Sequence, residues 1–206
     1  SSFNGVTNNC MVRLNSDGTI DTSFSLSTTI DTSNQMIFNV VLQNDGKILL
    51  FANDDGDKKI YRLNSDGSID NSFTSPFYWG NLDNPLFFLQ SDGKILIIKG
   101  STLKRINSNG TLDASFNSVN FSHSNGNVIL NSIDIQTDNK IIIAGRFANV
   151  NGNNVSNITR LNSNGTLDYS FYPTGLSFSQ DSKINSIKIM PNGKILIGGL
   201  YYSYNN

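Results

Sequence analysis

Arg13-Leu14-Asn15-Ser16-Asp17-Gly18-Thr19-Ile20-Asp21-Thr22-Ser23-Phe24 returns three more times, with small changes, in this chain of 206 residues. The copies begin at Arg62, Arg105 and Arg160. A second motif answers each one: Leu42-Gln43-Asn44-Asp45-Gly46-Lys47-Ile48-Leu49-Leu50, with counterparts beginning at Leu89, Ile135 and Ile189. Self-similarity at such a spacing marks a repeat array, in which each unit buries its apolar surface only against its neighbours.

The first motif reads as a hairpin. Ser16 and Asp17 suit the right-handed positions of a type I turn, and Gly18 suits the left-handed residue that closes it. The loop sets Leu14 opposite Ile20 and Arg13 opposite Asp21. Leu14, Ile20 and Phe24 then share one face, while Arg13 and Asp21 meet on the other. The same pairing is expected for Arg62 with Asp70, Arg105 with Asp113 and Arg160 with Asp168. As exposed pairs they mark register more than they supply stability.

The second motif turns at Asn44-Asp45-Gly46, Ser91-Asp92-Gly93, Thr137-Asp138-Asn139 and Pro191-Asn192-Gly193. Asn139 stands where the others have glycine, and Asn is the residue that best tolerates left-handed geometry after glycine. A lysine follows each turn, and then an unbroken apolar run such as Ile141-Ile142-Ile143-Ala144. A strand apolar on both faces must be covered on both faces.

Each unit therefore reads as four short strands: 37–43, 47–52, 59–64 and 68–73; then 86–90, 94–98, 102–107 and 111–116; then 128–136, 140–146, 156–162 and 166–171. The last unit has only 184–190 and 194–201, and its missing pair lies at the other end of the chain, near 9–15 and 19–24. The expected fold is all-β, one domain over 1–206: a β-propeller of four blades with four antiparallel strands each, the ring closed by pairing 9–24 with 184–201. The opening Ser-Ser-Phe suggests a fragment or mature part of a larger protein.

The linked motifs Arg-Leu-Asn-Ser-Asp-Gly-Ser-Ile-Asp-Asn-Ser-Phe (residues 62–73) and Leu-Gln-Ser-Asp-Gly-Lys-Ile-Leu-Ile (residues 89–97) resemble the delta-60 repeat family. The resemblance covers nearly all of the chain. It departs where Asn109 and Asn164 replace the turn aspartate, and where residues 98–101 shorten one connection. It implies a propeller-like repeat of large bacterial secreted or surface proteins and of phage proteins, and so an extracellular, cell-surface or virion location. It supplies no catalytic residues.

Composition narrows the function. With 15 Lys and Arg against 16 Asp and Glu, the net charge is −1, and no cationic field is available for nucleic acid. No apolar run reaches the roughly 18 to 20 residues that span a bilayer, so no membrane insertion is expected. Cys10, the single cysteine, can form no internal disulfide and reads as a small apolar strand residue.

The turns of both motifs lie on one face of the expected propeller and are nearly uniform. The opposite face carries the variable segments 25–36, 53–58, 74–85, 117–127, 147–155 and 172–183 and the junction of the two termini, and binding residues concentrate on variable loops over a rigid scaffold. Its candidate ligand contacts are Phe77, Tyr78, Trp79, Tyr172, Tyr201, Tyr202, Tyr204 and His123. Aromatic rings with polar tips suit sugar rings or a protein surface; equally, they can plug the propeller or pack between loops.

Asn15, Asp17 and Asp21 have the odd spacing of a calcium loop, but Arg13 stands where the first acid belongs and no bidentate Glu follows. The turn explains the same residues without an ion, and no cofactor is expected. His123 beside Ser122 and Ser124 has no positioned acid, and Asp54, Asp55 and Asp57 read as a charged loop, so no catalytic set emerges. The expectation is a non-catalytic module that binds a glycan or protein on the surface of a bacterium or on a phage tail or fibre. The alternative is a structural or assembly domain contacting other subunits or domains of a parent protein. A hydrolase or lyase is the weaker third reading.

Overall fold

All eight turn residues that close the repeated motifs adopt left-handed backbone, from Asn139 at φ 64° to Gly67 at φ 92°. The main chain closes each first-motif turn as the loop length requires: Asn15 N donates to Thr19 O at 2.8 Å, and Leu14 bridges Ile20. The computed structural model describes residues 2–3, 6–7, 11–28, 30, 37–54, 57–75, 77, 86–174, 176–179, 181–201 and 203–204. Regular structure among them is all strand.

The contacts fall into two units, one of Ser1–Ile95 with Ile106–Leu112, the other of Leu96–Arg105 with Asp113–Asn206. In the first, Ile48–Asp54 runs antiparallel between Ile37–Leu42 and Asp57–Leu63, with Ile48 opposite Leu63 and Leu49 opposite Arg62. Phe24, Leu26 and Ile30 pack on Ile48, Leu50, Ala52 and Leu63. The other face of the central strand is covered as well: Phe51 is wholly buried and meets Phe87 edge-on at 5.7 Å. The apolar run is thus enclosed on both sides, as its composition demands.

In the second unit, Ile141–Arg146 lies between Ile129–Ile135 and Ile158–Leu161, again with Ile141 opposite Leu161 and Ile142 opposite Arg160. Ile142, Ala144 and Ile158 pack against Ile184 and Ile187 of the hairpin Lys183–Ile189 and Ile195–Leu200. Beside them, Asn153–Asn154, Asn149–Val150, Val119–Ser122 and Thr102–Ile106 stand side by side. Leu86–Leu89 and Ile95–Lys99 are strands as well, and two short pairs are Ser2–Phe3 with Val6–Thr7 and Leu176–Ser177 with Ser203–Tyr204.

Two expectations need correction. The fourth strand of each unit is reduced to one bridged residue, at Ile20, Ile69, Leu112 and Leu167. The reason lies in the Asp-X-Ser that follows. Asp70 Oδ1 accepts both the amide and the hydroxyl of Ser72, and Phe73 N turns back to Asp70 O at 3.1 Å. Such side-chain bonds offer the backbone a turn in place of a ladder. The ring closure expected from 9–24 and 184–201 is likewise not a feature of the described sheets, which are open: Lys183–Ile189 and Ile195–Leu200 form a sheet of two strands. Accordingly Leu196 is 58% exposed where Leu49 is 2% and Ile142 is fully buried.

Candidate functional site

The most repeated residues turn out to form a clasp between hairpins. Arg62 Nε donates to Asp70 Oδ2 at 2.8 Å, its Nη2 reaches Ser72 Oγ at 3.0 Å, and its guanidinium stacks over Phe73 at 5.0 Å. Its Nη1 donates to the carbonyl of Ser108, in the turn of the following hairpin. Arg13 does the same with Asp21, Ser23, Phe24 and the Ser65 carbonyl; Arg105 with Asp113, Ser115, Phe116 and the Ser163 carbonyl. Arg160 holds Asp168, Ser170 and Phe171. The pairs at Arg62 and Arg105 are buried, with both arginine side chains 7% exposed, so these are more than register marks.

Lysines tighten two of them. Lys47 Nζ lies 2.5 Å from Asp70 Oδ2 and Lys140 Nζ 2.9 Å from Asp168 Oδ2. The Lys47 ammonium and then the Ser72 hydroxyl hold the Asp70 carboxyl far below its usual range; at Asp168 the Ser170 hydroxyl leads and Lys140 follows. Asp17 gives its carboxylate to the amide and hydroxyl of Thr19, and Asp21 gives its own to Ser23 and Arg13. Those bonds to protein donors are the chemistry of a turn. No group of three His, Cys, Asp or Glu suited to a metal occurs among the described residues.

The variable segments of the second unit form a platform. Val119–Ser122 pairs with Asn149–Val150, which pairs with Asn153–Asn154. Side chains finish the edges: Asn151 Oδ1 accepts Asn120 N at 2.8 Å, and Asn149 Oδ1 accepts Gly152 N at 2.7 Å. Below it Phe121 and Phe147 meet edge-on at 5.0 Å. His123, Phe147, Ser156, Asn157, Phe178 and Ser179 line a cavity of about 170 Å³ whose walls come from the variable segments 117–127, 147–155 and 172–183 and from residues 156–157. His123 Nδ1 accepts Asn125 N at 3.3 Å; no carboxylate bonds to this histidine among the described residues.

A larger cavity of about 530 Å³ adjoins it, sharing Ser156 and Phe178. Tyr172 lines it and is 83% exposed. Tyr169, also exposed, bonds Asn153 Oδ1 at 3.2 Å. Sequence reasoning missed Tyr169, although a signal existed: its counterparts in the other hairpins are Thr22, Asn71 and Ala114.

Of the other candidates, Phe77 is half-buried and its amide lies 3.4 Å from Ser75 Oγ. Tyr201 is half-buried after the last long strand. Tyr78, Trp79 and Tyr202 lie outside the described residues, as does the side chain of Tyr204. His123 and Tyr172 thus stand in neighbouring cavities of one unit.

The family model described as "Domain of unknown function (DUF5122) beta-propeller" matches residues 1–24, 43–73, 90–116 and 136–171, more than half of the chain and every copy of the first motif. The chain belongs to this β-propeller family. No curated protein matches it. Among solved structures, a protein of unknown function from Bacteroides caccae is similar at 16% identity and a TM-score of 0.47, over 89% of this chain and 61% of that one. The chain therefore spans less than two thirds of that protein's length.

Proposed function

We propose that this DUF5122 propeller chain is a non-catalytic binding module that takes the end of a glycan on the variable face of its second unit, displayed on a cell surface or a virion. The observation that carries the reading is the convergence of three variable segments on the His123 cavity. Its lining brings an imidazole and the hydroxyls of Ser156 and Ser179 together with the rings of Phe147 and Phe178. Polar groups beside aromatic rings are what a sugar ring needs, and about 170 Å³ limits the ligand to a small group.

A glycan array followed by titration calorimetry tests this. Binding by the intact chain, lost in Phe178→Ala or His123→Ala with the melting temperature retained, supports it. Binding that survives both substitutions refutes the site. A second reading, an assembly domain, is favoured by the bare apolar positions Leu14, Leu196 and Leu200, which are 48%, 58% and 51% exposed.

A further inference from the structure

The repeated turns of the first unit enclose a cavity of about 430 Å³. Gln43, Asn44, Asp45, Lys47 and Arg62 line it from one repeat, and Leu89, Ser91, Asp92, Gly93 and Ser108 from the next. Gly93 lies against Ser108, so that a Cβ on the glycine would stand 3.5 Å from the Cβ of the serine. The turn that carries Ser108 is pinned twice: its carbonyl receives Arg62 Nη1, and Thr74 N seals the junction by donating to Asn109 O at 3.1 Å. Hydrogen-bonded turns, not loose loops, make up this lining.

One lining residue has an acceptor left over. Gln43 is 7% exposed, and its Oε1 is buried without a donor among the described residues. The cause is local. Gln136 holds the same place in another copy of the motif, and there Arg160 Nη1 lies 3.5 Å from its Oε1. At Gln43 the corresponding nitrogen, Arg62 Nη1, is given to Ser108 instead. Buried polar atoms are paired almost everywhere in folded proteins, and an unpaired one carries its full desolvation cost. An orphan acceptor on a residue that lines a cavity calls for a donor from outside the chain.

The charges around it select the kind of donor. Lys47 and Arg62 are cations, both committed to Asp70. Asp45 and Asp92 are anions, each with one oxygen accepting the amide two residues on. A ligand of either sign would meet like charge in part of the lining, and such contacts disfavour binding strongly. A hydroxyl avoids this, because it is neutral and both donates and accepts.

We propose that this cavity binds a neutral polyhydroxyl compound, a single sugar or a small polyol, with one hydroxyl donating to Gln43 Oε1. The volume falls within the range of small-molecule sites, about 300 to 1,000 Å³. The site does not depend on the His123 cavity, which belongs to the other unit, and no aromatic ring lines it. Its grip is by hydrogen bonds in place of ring stacking.

Amide chemical shifts of the isotope-labelled full chain test the proposal, with glucose, galactose, mannose, N-acetylglucosamine and glycerol titrated in turn. At least one probe is expected to shift Gln43, Lys47, Ser91 and Gly93 saturably. Gln43→Met keeps the length of the side chain and removes the acceptor. Its melting temperature should hold or rise, since no buried acceptor is left unpaired, while affinity for that probe falls about tenfold. Ser91→Phe, at an exposed turn position, should fill the cavity and abolish the shifts with the fold retained. Full affinity in both variants overturns the proposal. So does a wild type that no probe perturbs beside a stabilised Gln43→Met, the result expected if Gln43 meets a buried water only. Calcium chloride shifting these amides where the sugars do not overturns the choice of a neutral ligand. His123→Ala should leave the shifts at Gln43 and Ser91 intact, so failure of the glycan site at His123 and failure here are read separately.

Discussion

Gly18 and Gly67 stand at the same place in two copies of one turn, at φ 85° and 92°, and alanine separates their roles. Both substitutions carry the cost of an L side chain in left-handed backbone, about 1 to 2 kcal/mol. For Gly18 that is the whole effect, since its Cβ would enter open space. At Gly67 the new carbon meets the carbonyl oxygen and carbon of Ser25 and, at 3.2 Å, the amide nitrogen of Leu26. These are backbone atoms fixed by the bond from Ser25 N to Asp66 O, so the junction must part, adding about 1 to 3 kcal/mol for overpacking. Gly67→Ala should therefore cost about 2 to 5 kcal/mol against about 1 to 2 for Gly18→Ala. Urea unfolding of dilute protein measures the difference as a shift in midpoint at constant slope. Both residues lie in the same unit and report on the same transition. Equal losses at the two sites would refute the docking of one hairpin on the next.

Arg105→Ala should cost about 3 to 5 kcal/mol by stranding the buried Asp113, whereas Arg13→Ala, whose side chain is 37% exposed, should cost about 0.2 to 1 kcal/mol in the same assay. Phe51→Ala should lose about 3 to 5 kcal/mol, read as a lowered urea midpoint, because its ring is fully buried between Phe38 and Phe87. Stability should fall with acid: Asp70 and Asp168 titrate far below their unfolded value, so their contribution is complete above pH about 4 and is lost as pH drops further. Urea midpoints at pH 7, 4 and 2.5 check this, and Asp70→Asn should flatten part of the slope.

The hairpins were legible because their information is local. Gly18, Gly67 and Asn139 announce left-handed turns, and Leu14 opposite Ile20 follows from loop length alone. The inner strands were legible from uninterrupted apolar runs, down to the double-sided burial of Leu49, Leu50 and Phe51. The fourth strands were misread since a two-residue period does not reveal that Asp21 and Asp70 turn their own backbone at Ser23 and Ser72. Burial of the Arg62 and Arg105 pairs was equally invisible, because it comes from the next hairpin and from Phe73 and Phe116. At the candidate site, His123 and Tyr172 could be picked as residues in variable loops, but the joining of those loops depends on amide side chains at Asn149 and Asn151 that look like ordinary loop polarity.

The arginines that pass from three hairpins to the turn of the next couple each junction to its neighbour. Each turn is steadied from behind: Ser65 by Arg13, Ser108 by Arg62 and Ser163 by Arg105. Strain or solvent entering at one junction is felt chiefly by the adjoining one, as in other repeat arrays whose units contact their neighbours. A lineage can therefore lengthen or shorten such a chain by whole hairpin pairs without redesigning what remains, since every added copy brings both the hand that holds and the place to be held.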